Sequence, residues 1–243
     1  MILKRRNIVL TGGTSGIGRD LVRLLHADNQ LLVVARNQTR LDELSAAFPG
    51  IATFRADLAK PADVEAAAAA AHNCFDSLDL VINNAALQFT PTFVDPDFSY
   101  ASIQQEIAVN FTAVCGLTAL LLPALTHGRE AAILNVNSGL ALVPKTQSAV
   151  YCATKAAVDN FSRALRNQLE DTQVKVFQAF MPLVDTPMTE GRGDGKLSAE
   201  EAATAILRGV ERGIEDHDIG KVRVLRLLSR LAPGIARKIM KRA

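Results

Sequence analysis

The chain has 243 residues, 49% of them hydrophobic, and 27 basic against 25 acidic residues give a net charge of +2. This length is enough for one sizeable core, so we expect a single domain. The three cysteines, Cys74, Cys115 and Cys152, are odd in number and lack CxxC spacing. This pattern supports neither a disulfide framework nor a metal site, and it favours a reducing, cytoplasmic location.

The two ends of the chain differ in character. The N-terminal residues lead at once into a strand-like run and a glycine-rich turn, which leaves no room for a signal peptide. We expect no apolar run of membrane-spanning length. Residues 221–243 hold eight Lys or Arg and no acidic residue, which leaves a net charge of −6 on the rest. We therefore divide the chain into a domain, residues 1–220, and a basic C-terminal extension, residues 221–243.

Short apolar runs alternate with amphipathic segments along the domain. The strand-like runs are residues 8–10, 31–35, 52–56, 80–82, 132–136 and 174–179. Strands that are apolar on both faces and alternate with helices indicate βαβ units around a parallel sheet. The sequence therefore predicts a single-domain α/β fold, a doubly wound (Rossmann) parallel sheet with helices on both faces.

A glycine-rich motif directly follows the first strand and opens a helix. It reads Thr-Gly-Gly-Thr-Ser-Gly-Ile-Gly over residues 11–18. Gly12 allows a tight turn, Gly16 lets the backbone approach a pyrophosphate, and Gly18 permits close packing of helix on sheet. The helix N-terminus attracts the phosphate charge. The motif therefore predicts a dinucleotide site.

The second strand ends at a position that discriminates between nicotinamide cofactors. An NAD-binding protein of this architecture usually places an acidic residue there for the ribose 2′-hydroxyl. Arg36 occupies the position here. A guanidinium pairs with a 2′-phosphate that a carboxylate would repel, so the sequence favours NADP (NADPH) over NAD.

Tyr151 and Lys155 stand four residues apart in a segment, residues 148–171, that is predicted to be helical. This spacing puts both side chains on one face. A nearby ammonium favours the ionised phenol, so we expect Lys155 to lower the pKa of Tyr151. Ser138, at the end of a strand-like run, would orient the same substrate oxygen for general acid/base catalysis. The Tyr-x-x-x-Lys spacing alone is weak, because it also occurs on ordinary amphipathic helices.

Together these motifs resemble the compact branch of the short-chain dehydrogenase/reductase family over about residues 8–186, and most closely its DltE-like oxidoreductase subgroup. The resemblance rests on the order of the glycine motif, Asp57, the Asn-Asn-Ala-Ala turn at 83–86, and Asn110, Ser138, Tyr151 and Lys155. It implies an NADP-dependent oxidoreductase that transfers a hydride between nicotinamide and a carbonyl or secondary alcohol.

The resemblance also assigns roles. Tyr151 would be the general acid/base, Lys155 would lower its pKa and hold the nicotinamide ribose, Ser138 would position the substrate oxygen, and Asn110 would anchor a water-based proton path. The implied cofactor contacts are Gly12, Thr14, Ser15, Gly16, Ile17, Gly18, Arg36, Asp57, Leu58, Asn84, Ala85, Tyr151, Lys155, Pro182, Val184 and Thr186. One departure is Leu183, which follows Pro182 where the family usually has glycine. Leucine disfavours the positive φ that glycine allows there.

Residues 183–197 contain one proline and three glycines and predict a loop that could close over substrate, followed by a capping box at Ser198-x-x-Glu201. Apolar residues near Ser138 suggest a small-molecule substrate with an apolar body, although ordinary core residues fit the same pattern. These residues are Phe89, Leu140, Leu142 and Val143.

The C-terminal extension is amphipathic and basic. Its apolar residues recur at three- and four-residue spacing, and Pro233-Gly234 divides it into two short helices. The apolar residues are Val224, Leu228, Leu231, Ile235 and Ile239. Packing on the domain or on a second subunit and peripheral contact with anionic lipid both fit this pattern. Nucleic acid does not fit, since the extension lacks aromatics and the domain is acidic.

Two other functional readings remain open at this stage. The fold could serve an NADPH-binding sensor or interaction protein without turnover. Epimerisation or dehydration with tightly held nucleotide is a further enzymatic alternative, for which little chain remains after residue 220. The family resemblance also implies a homodimer or homotetramer formed through long helices at about 99–123 and 148–171.

Overall fold

The computed structural model describes residues 1–127 and 130–241. Within them lies a seven-stranded, fully parallel sheet in the order β3-β2-β1-β4-β5-β6-β7. The strands are β1 (Asn7–Thr11), β2 (Gln30–Ala35), β3 (Ala52–Arg55), β4 (Leu80–Asn83), β5 (Ala131–Ser138), β6 (Val174–Met181) and β7 (Asp216–Asp218). The strand order reverses between β1 and β4, where doubly wound folds form a ligand crevice. The predicted fold class is confirmed.

Helices connect the strands and cover both faces of the sheet. They are α1 (Gly16–Leu25), α2 (Gln38–Ala47), α3 (Pro61–Cys74), α4 (Tyr100–Ile107), α5 (Ala113–Leu125), α6 (Ala149–Gln168), α7 (Ala199–Glu211), α8 (Val222–Leu231) and α9 (Pro233–Met240). A π-helical segment, Ala108–Thr112, joins α4 to α5, and short 3₁₀ helices follow β5 and β6.

The core has two layers, one on each face of the sheet. Successive residues of β1 alternate between them: Leu10 packs with the layer under α1 and α7, and Val9 packs with the layer under α3 and α5. Both side chains are essentially inaccessible to solvent. Because helices cover both faces, the central strands carry apolar residues on both faces, as the sequence predicted.

The seventh strand was not predicted. β7 reads Asp-His-Asp and lacks the apolar residues by which the other six were recognised. Its register is set instead by polar contacts, since Asp216 lies beside Gln178 of β6 and accepts hydrogen bonds from Gln178 and Arg166 at 3.1 and 2.6 Å. Tertiary contacts therefore create this edge strand.

The helical run Tyr100–Leu125 corrects one sequence expectation. By length and composition it could cross a membrane, so the prediction that no run reaches that length was wrong. In the fold 44% of its most apolar stretch is buried, and Val109, Leu117 and Leu121 belong to the core. Packing against α3 and the sheet accounts for these residues, while Ile107 and Leu120 remain exposed.

The two ends of the segment after β6 are hydrogen-bonded to each other. Val184 pairs with Leu197, and Leu197 exchanges backbone hydrogen bonds with Leu183 and Asp185 at 3.1 and 2.8 Å. The predicted capping box then starts α7: Ser198 Oγ accepts the Glu201 N–H at 3.1 Å, and the Glu201 carboxylate accepts the Ser198 N–H at 3.1 Å. Residues 183–197 therefore form one loop whose two ends are held together.

The C-terminal extension forms two helices divided at Pro233, as predicted. Arg226 fastens α8 to the domain by a bidentate ion pair with Asp218 at 2.5 and 2.7 Å, and its guanidinium lies 4.4 Å from the centre of the Phe180 ring. Val222 and Ala236 supply the buried apolar contacts. Residues 242 and 243 of the predicted extension lie outside the described residues.

The predicted apolar face of the extension is not the buried one. Five large apolar side chains are more than half exposed and form what we call the tail stripe: Val224, Leu227, Leu231, Ile235 and Ile239. Only Leu228 of the predicted set is half-buried. The periodicity thus identified an amphipathic extension, but this face does not pack on its own domain.

Candidate active site

The glycine motif forms a tight turn between β1 and α1. Gly12 and Gly16 have positive φ angles of 75° and 50°, a conformation that favours glycine. A Cβ on Gly12 would lie 2.8 Å from Ala85 Cα, and one on Gly18 would overlap the Gly12 carbonyl oxygen. A side chain at Gly12 or Gly18 would therefore clash with the neighbouring backbone, and glycine is required where the turn must approach a ligand.

Asn84 holds the end of β4 against this turn. Its Nδ2 donates to the carbonyl oxygens of Thr11 and Gly12 at 3.1 and 2.9 Å. Thr11 Oγ1 accepts the backbone N–H groups of Asn84 and Ala85, both at 3.1 Å. The predicted cofactor residues Asn84 and Ala85 thus lie at the crevice where the strand order reverses.

A cavity of about 450 Å³ opens at the N-terminus of α1. It is lined by Thr14, Ser15, Gly16, Arg19, Arg40, Glu43, Leu44 and Pro187. The helix dipole and two guanidinium groups make this a favourable place for phosphate. The residues present therefore fit the diphosphate part of a dinucleotide. Ile17, in the first turn of α1, packs against the core beside the cavity.

Arg19 and Arg40 were missed by the sequence analysis. Arg36 itself is exposed directly after β2, does not line the cavity, and makes no hydrogen bond or ion pair to another described residue. Arg40 lies one helical turn further on, in the first turn of α2. The available signal was a second basic residue just after the N-cap Asn37, in the first turn of the helix that follows β2.

Asp57 and Leu58 follow β3 at the same edge of the sheet. Asp57 is half-buried, and its Oδ1 accepts the Ala59 N–H at 3.1 Å. Its backbone N–H donates to Asp63 at 2.7 Å, which fixes the turn into α3. Leu58 is buried in the core, so its side chain supports the turn from below.

The three residues Ser138, Tyr151 and Lys155 meet at the carboxyl end of β5. Ser138 is the last residue of the strand, and the other two lie one turn apart on α6. All three side chains are less than 10% exposed. Lys155 Nζ donates to the Val136 carbonyl oxygen at 2.8 Å and lies 5.7 Å from the centre of the Tyr151 ring. The predicted proximity of the three side chains is therefore present.

The electrostatics of the tyrosine differ from the expectation. Burial raises the pKa of Tyr151 above its ordinary value, and a hydrogen bond from Ser138 opposes this rise. Burial also lowers the pKa of Lys155 to about 8. Desolvation disfavours the charged form of each group and is the largest cause of both shifts, and Lys155 is not among the groups that lower the pKa of Tyr151. In this structure Tyr151 is a protonated phenol at neutral pH.

Asn110 lies in the π-helical segment and clamps the chain that follows β4. Its Oδ1 accepts the Leu87 N–H and its Nδ2 donates to the Leu87 carbonyl oxygen, both at 2.8 Å. Nδ2 also lies 3.2 Å from Thr154 Oγ1 on α6. π-bulges are frequent at functional sites. The segment here brings Asn110 next to the helix that carries Tyr151.

Glu106 is a second residue that the sequence analysis missed. It is 2% exposed, and its carboxylate accepts the Phe89 N–H at 2.8 Å. Burial raises its pKa. It precedes Asn110 by four residues, so both side chains hold the same extended segment. A buried acidic residue one turn from Asn110 was the signal in the sequence.

The segment after β6 reaches the phosphate turn. Thr186 is the closest neighbour of Gly16, since a Cβ on that glycine would lie 2.8 Å from Thr186 Cγ2. Val184 is buried and Pro182 half-buried. Leu183, which replaces the usual glycine, is not among the residues with positive φ, so the chain passes this point without the strain that the substitution suggested.

No group of three His, Cys, Asp or Glu suited to a metal ion occurs in the described part of the chain. The described cysteines are separate: Cys74 is exposed, Cys115 half-buried and Cys152 buried. The arrangement supports proton transfer by Tyr151 beside a dinucleotide crevice.

Comparisons with known proteins agree with this geometry. Residues 6–196 match the family described as short chain dehydrogenase. An uncharacterised oxidoreductase, DltE, of Bacillus subtilis is 35% identical over 233 residues, which cover 93% of this chain and 92% of that protein.

Solved structures share the fold. A short chain dehydrogenase from Burkholderia cenocepacia in complex with NADP has a TM-score of 0.88 at 23% identity and covers 99% of both chains. One from Sphingobium yanoikuyae in complex with NADPH has a TM-score of 0.81 at 26% identity and covers 94% of both chains. The family match over residues 6–196 and the 35% identity over 93% of the chain show that this protein is an oxidoreductase belonging to the short-chain dehydrogenase family, similar to DltE.

Proposed function

We propose that the protein is an NADP-dependent oxidoreductase that transfers a hydride between nicotinamide and a carbonyl or secondary alcohol substrate. The observation that carries this proposal is the meeting of Ser138, Tyr151 and Lys155 in one buried site beside the glycine turn. Proton transfer to oxygen requires a donor, an orienting hydroxyl and a means of adjusting the pKa of the donor.

In the reductive direction the Tyr151 hydroxyl donates its proton to the substrate oxygen. Its raised pKa keeps this proton in place at neutral pH, and Ser138, hydrogen-bonded to the phenol, orients the same oxygen. Hydride supplied by the reduced nicotinamide adds to the carbonyl carbon, which is the chemistry the cofactor provides. In the oxidative direction Tyr151 receives the proton of the alcohol.

Lys155 and Asn110 support this exchange from the protein side. Lys155 Nζ uses one donor on Val136 and retains others for the hydroxyls of a ribose. Its charge becomes effective when a ligand completes its hydrogen bonds and stabilises the ammonium. Asn110 fixes the chain at Leu87 beside α6 and so holds the place of a water path for the proton.

The preference for NADP over NAD rests on cations at the end of β2. Arg36 is exposed without an ion pair in the described structure, and Arg40 and Arg19 line the adjacent cavity. A 2′-phosphate gains charge-assisted hydrogen bonds from such groups, whereas a 2′-hydroxyl gains less. The NADP and NADPH complexes of the two similar structures support this choice.

The proposed substrate is a small molecule with an apolar part. Leu140 and Leu142 follow Ser138 and are half-buried, as is Phe89 on the opposite segment, while Val143 is buried beneath them. Partly exposed apolar side chains beside a catalytic hydroxyl suit an aliphatic or aromatic substrate body.

We place the enzyme in the cytoplasm as a homodimer or homotetramer. Its described cysteines are separate thiols, which suits a reducing compartment. The assembly would use the outer faces of α4, α5 and α6, where Ile107 and Leu120 are exposed. Phe111 of the π-helical segment and Phe161 of α6, both half-buried, meet edge to face with ring centres 6.2 Å apart.

We also propose that the tail stripe lies on the surface of an anionic membrane. Its five apolar side chains are more than half exposed, and the extension carries basic residues without a single acidic one. An exposed apolar face flanked by cations is the pattern of an interfacial helix. A second copy of the chain is the competing occupant and is an outcome of the test below.

The oxidoreductase proposal is tested by Tyr151→Phe. Removing the hydroxyl should lower kcat by about 100- to 10,000-fold, because proton transfer loses its donor. NADPH oxidation with a substrate found in a panel of carbonyls measures kcat, and fluorescence titration measures NADPH binding, which should remain. Tyr100→Phe, at an exposed tyrosine, is the matched control and should keep full activity. Unchanged turnover in Tyr151→Phe would contradict the proposal.

The sensor alternative has its own signature. It predicts that the wild-type protein binds NADPH but turns over no member of a broad carbonyl and alcohol panel, while its affinity for a protein partner changes with NADPH.

The cofactor preference is tested by Arg36→Asp. A carboxylate at this position repels a 2′-phosphate, so the dissociation constant of NADPH should rise about 10- to 100-fold while that of NADH changes little. Fluorescence titrations of both cofactors measure the ratio. Arg212→Asp, an exposed arginine at the end of α7, should leave the ratio unchanged. Equal losses for NADPH and NADH would rule out a specific role of Arg36.

The membrane proposal is tested by co-sedimentation with phosphatidylcholine vesicles that contain or lack phosphatidylglycerol. The wild-type protein should sediment only with the anionic vesicles, and Leu231→Gln combined with Ile235→Gln should abolish this. Ile214→Gln, at an apolar residue outside the extension, is the control. Absence of wild-type sedimentation would refute membrane binding. A double variant that loses its oligomeric state in gel filtration would instead assign the tail stripe to a second copy of the chain.

A further inference from the structure

Two cations from different segments lie at the entrance to the proposed catalytic site. Lys145 belongs to the segment between β5 and α6, and its backbone N–H hydrogen-bonds to the thiol of Cys152, the residue after Tyr151. Arg192 belongs to the loop of residues 183–197. Both side chains are half-buried, so each has given up part of its hydration.

The two cations belong to one neighbourhood, because Arg192 is hydrogen-bonded through Gln88 to Ser148, three residues after Lys145. Burial and then the charge of Arg192 lower the pKa of Lys145. The Arg192 charge also opposes the burial-driven rise in the pKa of Tyr151. The Arg192 charge thus acts on both the Lys145 ammonium and the Tyr151 hydroxyl.

Neither cation has a carboxylate within ion-pair distance among the described residues. The contrast is Lys196 of the same loop, whose Nζ lies 3.3 Å from Asp185 and donates to the Thr189 carbonyl oxygen at 2.7 Å. Glu106, a buried acid whose charge acts on Tyr151, is engaged by the Phe89 N–H. Two half-buried cations without a counter-ion are electrostatically costly unless an anion binds between them.

Arg192 is held in place by a chain of polar contacts. Its Nη1 donates to Gln88 Oε1 at 2.7 Å, and Gln88 Nε2 donates to Ser148 Oγ at 3.2 Å. Ser148 is 2% exposed, has a positive φ of 59°, and directly precedes α6. The loop cation is thus tied to the start of the catalytic helix, which fixes its position relative to Tyr151.

We propose that Lys145 and Arg192 bind an anionic group of the substrate, so that the substrate is a carbonyl compound carrying a carboxylate or a phosphate. This inference rests on the proposed oxidoreductase function and specifies its substrate class. The guanidinium offers a planar pair of donors and the ammonium a point charge, a combination suited to either oxyanion. The half-buried Leu140, Leu142 and Phe89 accommodate the rest of the molecule.

The test compares charged probes with neutral partners of nearly the same shape. One arm uses a series of keto acids from levulinate upward, each beside its methyl ester, and the other uses dihydroxyacetone phosphate beside dihydroxyacetone. NADPH oxidation gives kcat and KM for each probe. Calorimetric titration of the NADP⁺-loaded protein gives binding without turnover.

In the wild type, one anionic series should exceed its neutral partners in kcat/KM by about 10-fold or more. Lys145→Met and Arg192→Met should each remove most of this preference by raising the KM of the anionic probes. Lys175→Met, at an exposed lysine of β6, is the matched control and should keep the preference.

The outcomes separate this inference from the proposed function. Equal use or equal binding of charged and neutral probes, a preference that survives in the Lys145→Met/Arg192→Met double variant, or no binding of any anionic probe would overturn it. Binding of the anionic probes that depends on both cations, without any turnover, would support the anion site and refute the oxidoreductase proposal instead.

Discussion

A buried ammonium is the constraint on which the catalytic site depends. Lys155 lies between the end of β5 and the face of α6, where its Nζ donates to the Val136 carbonyl oxygen. Burial lowers its pKa to about 8 and, in the same space, raises the pKa of Tyr151. At neutral pH Tyr151 is therefore a neutral phenol, while Lys155 is still mostly an ammonium but loses its proton more readily than an exposed lysine, so a charged or polar ligand can change the balance of both groups. Ligand binding is therefore coupled to the pKa values of Tyr151 and Lys155.

The sheet explains why these groups meet a nucleotide. All strands are parallel, so their carboxyl ends share one edge, and the glycine turn after β1 and Ser138 at the end of β5 lie on that edge. Asn84 and Thr186 then close the space around the turn. The two loop cations, Lys145 and Arg192, complete the edge with positive charge. Nucleotide and substrate are thus proposed to approach from the same side.

The sequence predicted those elements whose formation depends on residues close together in the chain. The six apolar strands, the capping box at Ser198, the glycine turn and the division of the extension at Pro233 each depend on neighbouring residues. Features that depend on contacts between residues far apart in the chain were not predicted. β7 has a polar sequence and forms because Arg166 and Gln178 bind Asp216. What covers the apolar face of the extension was left open between the domain, a second subunit and lipid, since periodicity shows that a face exists but not what covers it. The pKa of Tyr151 depends on burial, which spacing alone does not give.

The central claim is that Tyr151 is a buried, protonated phenol whose acidity is set by the ligand beside it. The chain has two tyrosines and no tryptophan, so Tyr100→Phe leaves Tyr151 as the only phenol. Near-ultraviolet absorbance then follows its ionisation directly. The account predicts no tyrosinate up to about pH 10 in the free protein, and ionisation at clearly lower pH with saturating NADP⁺, whose nicotinamide is positively charged. Ionisation at the same pH with and without NADP⁺ would contradict it.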